Sequence, residues 1–290
     1  MPLRWIPVVL ALAWGLNWPA VKIILGTVPP FLARGIGLGG GVLVLFALAA
    51  WQGRDLRPRR ADAIPILIGG GFTVALFNFA TAFAQLNTST SRAAVLTFTM
   101  PMMNAALAAL LLGERLGAAG AAALALGMAG VAVLAWPVLD GALHGASVAG
   151  LVFPLLAALV WALGSMVMKR WPMTGDRVVA TAWQLAVGAL AALAAAAVAG
   201  EAWPTAWPAA VIVAMGFHVL IATAVAYVLW YRLLGAVSAT VAGLTTLAVP
   251  VVGVLGAMLL VGDRPGGLDL LGFAAVLGGA ALAMRAMARR

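Results

Sequence analysis

Apolar positions along this chain gather into ten long continuous runs separated by short polar stretches. The runs cover approximately Trp5–Leu25, Pro30–Gln52, Ala63–Ala84, Ser91–Leu112, Ala118–Leu139, Val148–Lys169, Val178–Val198, Ala209–Leu234, Ala239–Val261 and Leu268–Met287. Each is close to the roughly 20 residues a helix needs to cross the hydrocarbon core of a bilayer. None alternates with period two, so membrane-spanning strands are disfavoured and helices are predicted throughout. The fold class expected is all-α integral membrane, with ten transmembrane helices. The first run follows Arg4 in the manner of a signal peptide, but it continues to about Leu25 and reads as the first span.

Composition agrees with this pattern. Apolar residues make up 65% of the 290-residue chain and charged residues only 9%, against about a quarter in a soluble domain. The net charge of +9 does not point to nucleic acid, because its Lys and Arg sit in clusters between the apolar runs. With the first residues placed in the cytoplasm, thirteen Lys and Arg fall on the inside and four on the outside. The positive-inside rule then puts both termini in the cytoplasm. Trp5, Trp51, Trp136, Trp171, Trp203 and Trp207 lie at run ends, where interfacial anchoring explains them. The chain holds no Cys, which removes disulfides and thiolate metal sites. No metal and no cofactor are expected.

The two halves repeat. Thr97 to Pro101 and Leu111-Leu112-Gly113-Glu114-Arg115 match Thr246 to Pro250 and Leu260-Val261-Gly262-Asp263-Arg264 at a constant offset of 149 residues. Trp14 and Lys22 match Trp161 and Lys169 at an offset of 147. Residues 1–140 and 147–290 are therefore expected to form two five-helix units. An odd helix count turns the second unit over in the membrane, so the repeats are expected to be inverted, an arrangement suited to alternating access.

The polar helix start, the mid-run proline and the apolar stretch ending Leu-Leu-Gly-Glu-Arg-Leu (Leu107–Leu116, with a second copy at Met258–Arg264) resemble the EamA repeat of the drug/metabolite transporter superfamily. Within it the chain is similar to bacterial exporters of amino acids and other metabolites, including the YddG group that exports aromatic amino acids. The resemblance implies a multi-pass transporter of the bacterial inner membrane, exporting small neutral or zwitterionic metabolites, above all aromatic amino acids. It implies a small-molecule substrate, a lipid bilayer, no nucleic acid and a monomer. Organic-anion or nucleotide-sugar exchange within the same superfamily is the alternative.

Candidate residues follow from polar and aromatic side chains inside the spans. Pro101 and Pro250 sit mid-run in equivalent positions and frees a carbonyl one turn earlier in each half, so each is a hinge or a static kink. Tyr227 and Tyr231 lie at i, i+4 with Thr223 a turn before, and Tyr227 aligns with Asn78. Spans three and eight are accordingly expected to face one another. Trp14 and Asn17 are the counterparts of Trp161 and Ser165, while Met100 and Asn104 share a face of span four. Such a lining suits a zwitterion whose ammonium sits over a ring; the competing reading is plain interhelical contact.

Other groups are read as structural. His218 precedes Tyr227 by nine residues, which at about 100° per residue places it on the opposite face, as a packing or interfacial histidine. Lys22, Arg34 and Arg92 lie near outer ends, where long side chains snorkel; Arg92 is alternatively a contact for a substrate carboxylate. Asp55, Asp62, Glu114, Asp140, Asp176, Glu201, Asp263 and Asp269 all map to loops or run ends. The small multidrug-resistance branch of the superfamily couples protons through a mid-membrane Glu that has no counterpart in this sequence, so a facilitator or exchanger is expected. An intramembrane protease needs paired helical aspartates, a Ser with a His, or a His/Glu zinc set, and no such motif occurs. A channel remains the other non-enzymatic alternative.

Overall fold

The computed structural model describes residues 5–112, 117–139, 147–171, 173–236 and 248–288. Among them every regular element is a helix and none is a strand. In chain order they are α1 (Ile6–Leu25), α2 (Pro30–Trp51), α3 (Ala63–Gly69, the π-helical Gly70–Leu76 and Phe77–Asn87) and α4 (Thr90–Thr97 and Met100–Leu112). Then come α5 (Ala118–Leu139), α6 (Ala149–Arg170) and α7 (Arg177–Val198). The last are α8 (Ala209–Gly216, the π-helical Phe217–Val225 and Ala226–Ala236), α9 (Ala248–Leu260) and α10 (Gly267–Ala288). Nine described helices are long and apolar enough to cross a membrane, and α9 is a shorter apolar helix. The early part of the run expected at Ala239–Val261 lies outside the described residues.

Helix ends carry the polar work. Pro30 opens α2, where its missing N–H is no loss. Asp176 caps α7 by accepting from the Val178 and Val179 amides, satisfying donors that the first turn leaves free. Gly53 and Gly200 take φ of 67° and 64° just past α2 and α7, a left-handed turn that glycine adopts without a Cβ penalty. Their spacing of 147 residues equals the offset between Trp14 and Trp161. The same terminator thus recurs at matching places in the two halves.

Packing runs mostly between the halves. α5 lies along α10, α2 along α7, α1 along α9, and α3 along α6. Small residues permit this: a Cβ on Gly130 of α5 would stand 2.7 Å from the Val276 amide nitrogen of α10. Such close backbone approach is how helices associate where lipid offers no hydrophobic drive.

Carboxylates bind the loops at both ends of the bundle. Asp62 accepts from Thr174 N (2.8 Å), Thr174 Oγ1 (2.9 Å) and Gly175 N (2.9 Å), joining the start of α3 to the α6–α7 connection. Arg54 pairs with Asp176 at 2.6 Å beside it. At the other end of α2, Glu201 accepts from Phe31 N (3.1 Å) and Leu32 N (2.7 Å). Asp263 accepts from the amide and hydroxyl of Ser91 at 2.7 and 2.9 Å, and Arg92 pairs with Asp269 at 2.5 Å. The expected position of these acids holds, and Arg92 proves to be a structural ion pair.

α4 is broken between Thr97 and Met100. Pro101 is therefore the second residue of a new helical stretch, where its lost donor costs least. Around the break, Thr97 Oγ1 donates to Ala93 O at 2.8 Å and Thr99 Oγ1 to Leu96 O at 2.9 Å. The kink expected within one span is a gap between two shorter helices. Pro250 lies buried in α9, three residues into its described part.

Candidate functional site

Trp14 of α1 reaches α8. Its Nε1 donates to Ala222 O at 3.0 Å, inside the π-helical stretch. Its ring meets Tyr227 edge-on at a centroid distance of 6.2 Å and Trp230 at 5.6 Å. Trp14, Met100 and Val252 also pack on the buried Ala11, Phe98 and Val249. Met100 thus comes together with Trp14 beside the break in α4. Trp230, missed in the sequence, lies three residues beyond Tyr227 on the next turn.

The second half repeats the theme. Trp161 of α6 packs on Phe77 of α3 at 4.9 Å, directly after the π-helical Gly70–Leu76. A Cβ on Gly164 would stand 2.6 Å from Thr73 Cγ2, so this glycine lets α6 touch that stretch. Ser165 Oγ donates to Trp161 O at 2.8 Å, and Asn78 Nδ2 donates to Val74 O at 2.8 Å. Both polar side chains therefore serve their own helices. Two carbonyls of the π-helical stretches take a further side-chain donor. Ala222 has Trp14 and Val74 has Asn78.

Helices α3 and α8 do not lie along one another. Each packs instead on the first helix of the opposite half, α3 on α6 and α8 on α1. Asn104 is half-buried in the second stretch of α4. Tyr231 falls in α8, and its side chain lies outside the described residues.

A third group was not foreseen. His218 is buried in α8, with Nδ1 2.7 Å from Asn17 Oδ1. Its ring lies against Gly37 of α2, where a Cβ would stand 2.4 Å from Cδ2. One turn before Gly37, Arg34 is buried as well, and its Nη2 donates to Thr81 Oγ1 of α3 at 3.1 Å. Thr81 Oγ1 in turn donates to Asn78 O at 3.1 Å. Arg34 does not snorkel and His218 is not interfacial. The signal available in the sequence was an ionisable residue within a span, which is by default a functional position. Among the described residues no three His, Asp or Glu side chains form a metal-binding group.

These helices define a multi-pass membrane protein, all-helical among its described residues and bridged between halves by aromatic and buried polar side chains. The chain belongs to the EamA-like transporter family, which matches residues 5–136 and again 148–285. It is 28% identical over 278 residues to a probable amino-acid metabolite efflux pump of Escherichia coli K12, covering 92% of this chain and 89% of the relative. It is also 28% identical over 269 residues to the aromatic amino acid exporter YddG of Ancylobacter novellus, covering 89% and 88%. A solved crystal structure matches with a TM-score of 0.65 and 25% identity, over 99% of this chain and 98% of its own. The family and the relatives' names indicate a transporter rather than an enzyme.

Proposed function

We propose that the protein exports small neutral or zwitterionic metabolites, foremost aromatic amino acids, by alternating access between two inverted five-helix repeats, residues 1–140 and 147–290. The observation that carries this reading is the paired aromatic contact at the π-helical stretches: Trp14 with Tyr227 on α8, and Trp161 with Phe77 on α3. Each joins the first helix of one half to the third helix of the other. Rocking of the halves changes both contacts together, alternately exposing a lining of Trp14, Asn17, Asn78, Met100, Asn104, Trp161, Ser165, Tyr227 and Tyr231. An indole or phenol face there holds the substrate ammonium. Pro101, beside the break in α4, and Pro250 in α9 are the hinges. The exporter names of the two relatives support the substrate class. Orientation follows from Lys and Arg, with both termini cytoplasmic.

The test is uptake by the purified chain in liposomes, over a panel of amino acids, organic anions and nucleotide sugars, with the proton gradient imposed and then collapsed. Aromatic and neutral amino acids are expected to move under both conditions. Movement of only organic anions or nucleotide sugars would transfer the assignment to the alternative exchangers of the superfamily.

A further inference from the structure

We propose that Arg34, together with His218 and Asn17, is the anchor for a carboxylate on the transported solute. This inference rests on the transporter reading above and deepens it, assigning the substrate's negative end to a place distinct from the aromatic contacts.

Arg34 is 4% exposed, as is His218. Among the described residues no carboxylate lies within 4.0 Å of the guanidinium. Among the same residues Arg34 donates to the neutral Thr81 hydroxyl, and its Nε is buried without a partner. His218 Nε2 is likewise buried and unpartnered, while Nδ1 is occupied by Asn17. An intramembrane arginine is expected to pair with an acid, a carbonyl or a ligand. Guanidinium groups bind carboxylates through a planar fork of two parallel hydrogen bonds. The acid at the start of α2, Glu201, is committed to the Phe31 and Leu32 amides. Among the described residues Arg34 therefore has no fixed counter-ion, which leaves its Nε for a visiting one.

The placement fits a zwitterion. Asn17 follows Trp14 by one turn of α1, and His218 precedes Ala222, the acceptor of the Trp14 indole, by one turn of α8. The His218–Asn17 contact thus sits about one helical turn, some 5 Å, from the aromatic contacts, and Arg34 lies one turn before Gly37, against which the imidazole packs. An amino acid's carboxylate and its aromatic ring are separated by a comparable length. Gly37 is what brings α8 this close to α2, since any side chain there would displace the imidazole. In this conformation the cluster is covered, so carboxylate binding accompanies the opening of α8 from α2.

Thermal unfolding of the purified full chain with three related probes tests the assignment. Phenylalanine has both charged groups, 3-phenylpropionate lacks the ammonium, and phenethylamine lacks the carboxylate. Phenylalanine and 3-phenylpropionate are expected to raise the Tm and phenethylamine to leave it. Arg34→Gln is expected to weaken both carboxylates about tenfold or more, the range for a lost hydrogen bond to a charged group, and Arg34→Lys to keep part of the effect. If Arg34→Gln does not fold, Thr81→Val, which removes the hydroxyl orienting Arg34, is expected to weaken the same two probes. Equal stabilisation by phenethylamine and phenylalanine, no shift with either carboxylate, or wild-type affinity in Arg34→Gln overturns the proposal. A shift with 3-phenylpropionate alone keeps the carboxylate anchor and removes the amino-acid assignment. Counterflow of amino acids with unaltered binding in Arg34→Gln does the reverse.

Discussion

The indole Nε1 of Trp14 donates to the carbonyl of Ala222 across 208 residues of sequence, at 3.0 Å. That carbonyl belongs to the π-helical Phe217–Val225 of α8. Trp14→Phe keeps an aromatic ring against Tyr227 but removes the donor. The variant is expected to lose about 0.5–1.5 kcal/mol, the net contribution of one such hydrogen bond. A lower melting temperature with retained expression would bear this out; an unchanged one would show that Ala222 finds another donor.

Trp161 and Tyr227 test the lining more directly. Replacing either by Ala removes one half of an interhelical aromatic contact, Trp161 with Phe77 or Tyr227 with Trp14. Transport is expected to fall about tenfold in kcat/KM, roughly 1.4 kcal/mol of binding, with normal amounts of protein in the membrane. Wild-type kinetics would remove that residue from the site.

Pro101 stands at a helix start created by the break in α4, and Pro250, its counterpart at an offset of 149 residues, is buried in α9. Pro101→Ala and Pro250→Ala restore a backbone donor and favour a continuous helix. Both are expected to slow exchange while leaving KM unchanged. Unchanged turnover would make the prolines static features.

The proposed inversion of the repeats has a topological consequence. Gln52 and Ala199 precede the equivalent glycines that end α2 and α7, and both are exposed. The chain contains no native Cys, so Gln52→Cys and Ala199→Cys each report a single position. An impermeant maleimide is expected to label the first only from the cytoplasmic side and the second only from the opposite side. Labelling of both from one side would refute inversion.

Much of this fold was legible because a bilayer imposes length and apolarity on every span. The run predicted at Ala118–Leu139 coincides with α5, and the family model matches the chain twice, at residues 5–136 and 148–285. The π stretches were not legible. They add a residue to the turn without any change in composition, so a count at 100° per residue fails across them. That is why His218 was assigned to the wrong face. Arg34 was read as snorkelling from its nearness to a helix end, but α3 and α8 crowd that face of α2 and hold the guanidinium inside. The described acids lie in loops or at helix ends, Glu114 and Asp140 being outside the described residues, and several have partners from the opposite half, as with Asp62 and Thr174 or Glu201 and Leu32. No local pattern encodes such pairs.

Counterflow most directly tests transport by alternating access. Liposomes holding the purified chain are preloaded with unlabelled phenylalanine and diluted into a trace of labelled phenylalanine. Carrier exchange predicts a transient accumulation of label above the external concentration, abolished when the interior is left empty. Label that merely equilibrates, at the same rate with or without internal phenylalanine, would contradict it and point to a channel.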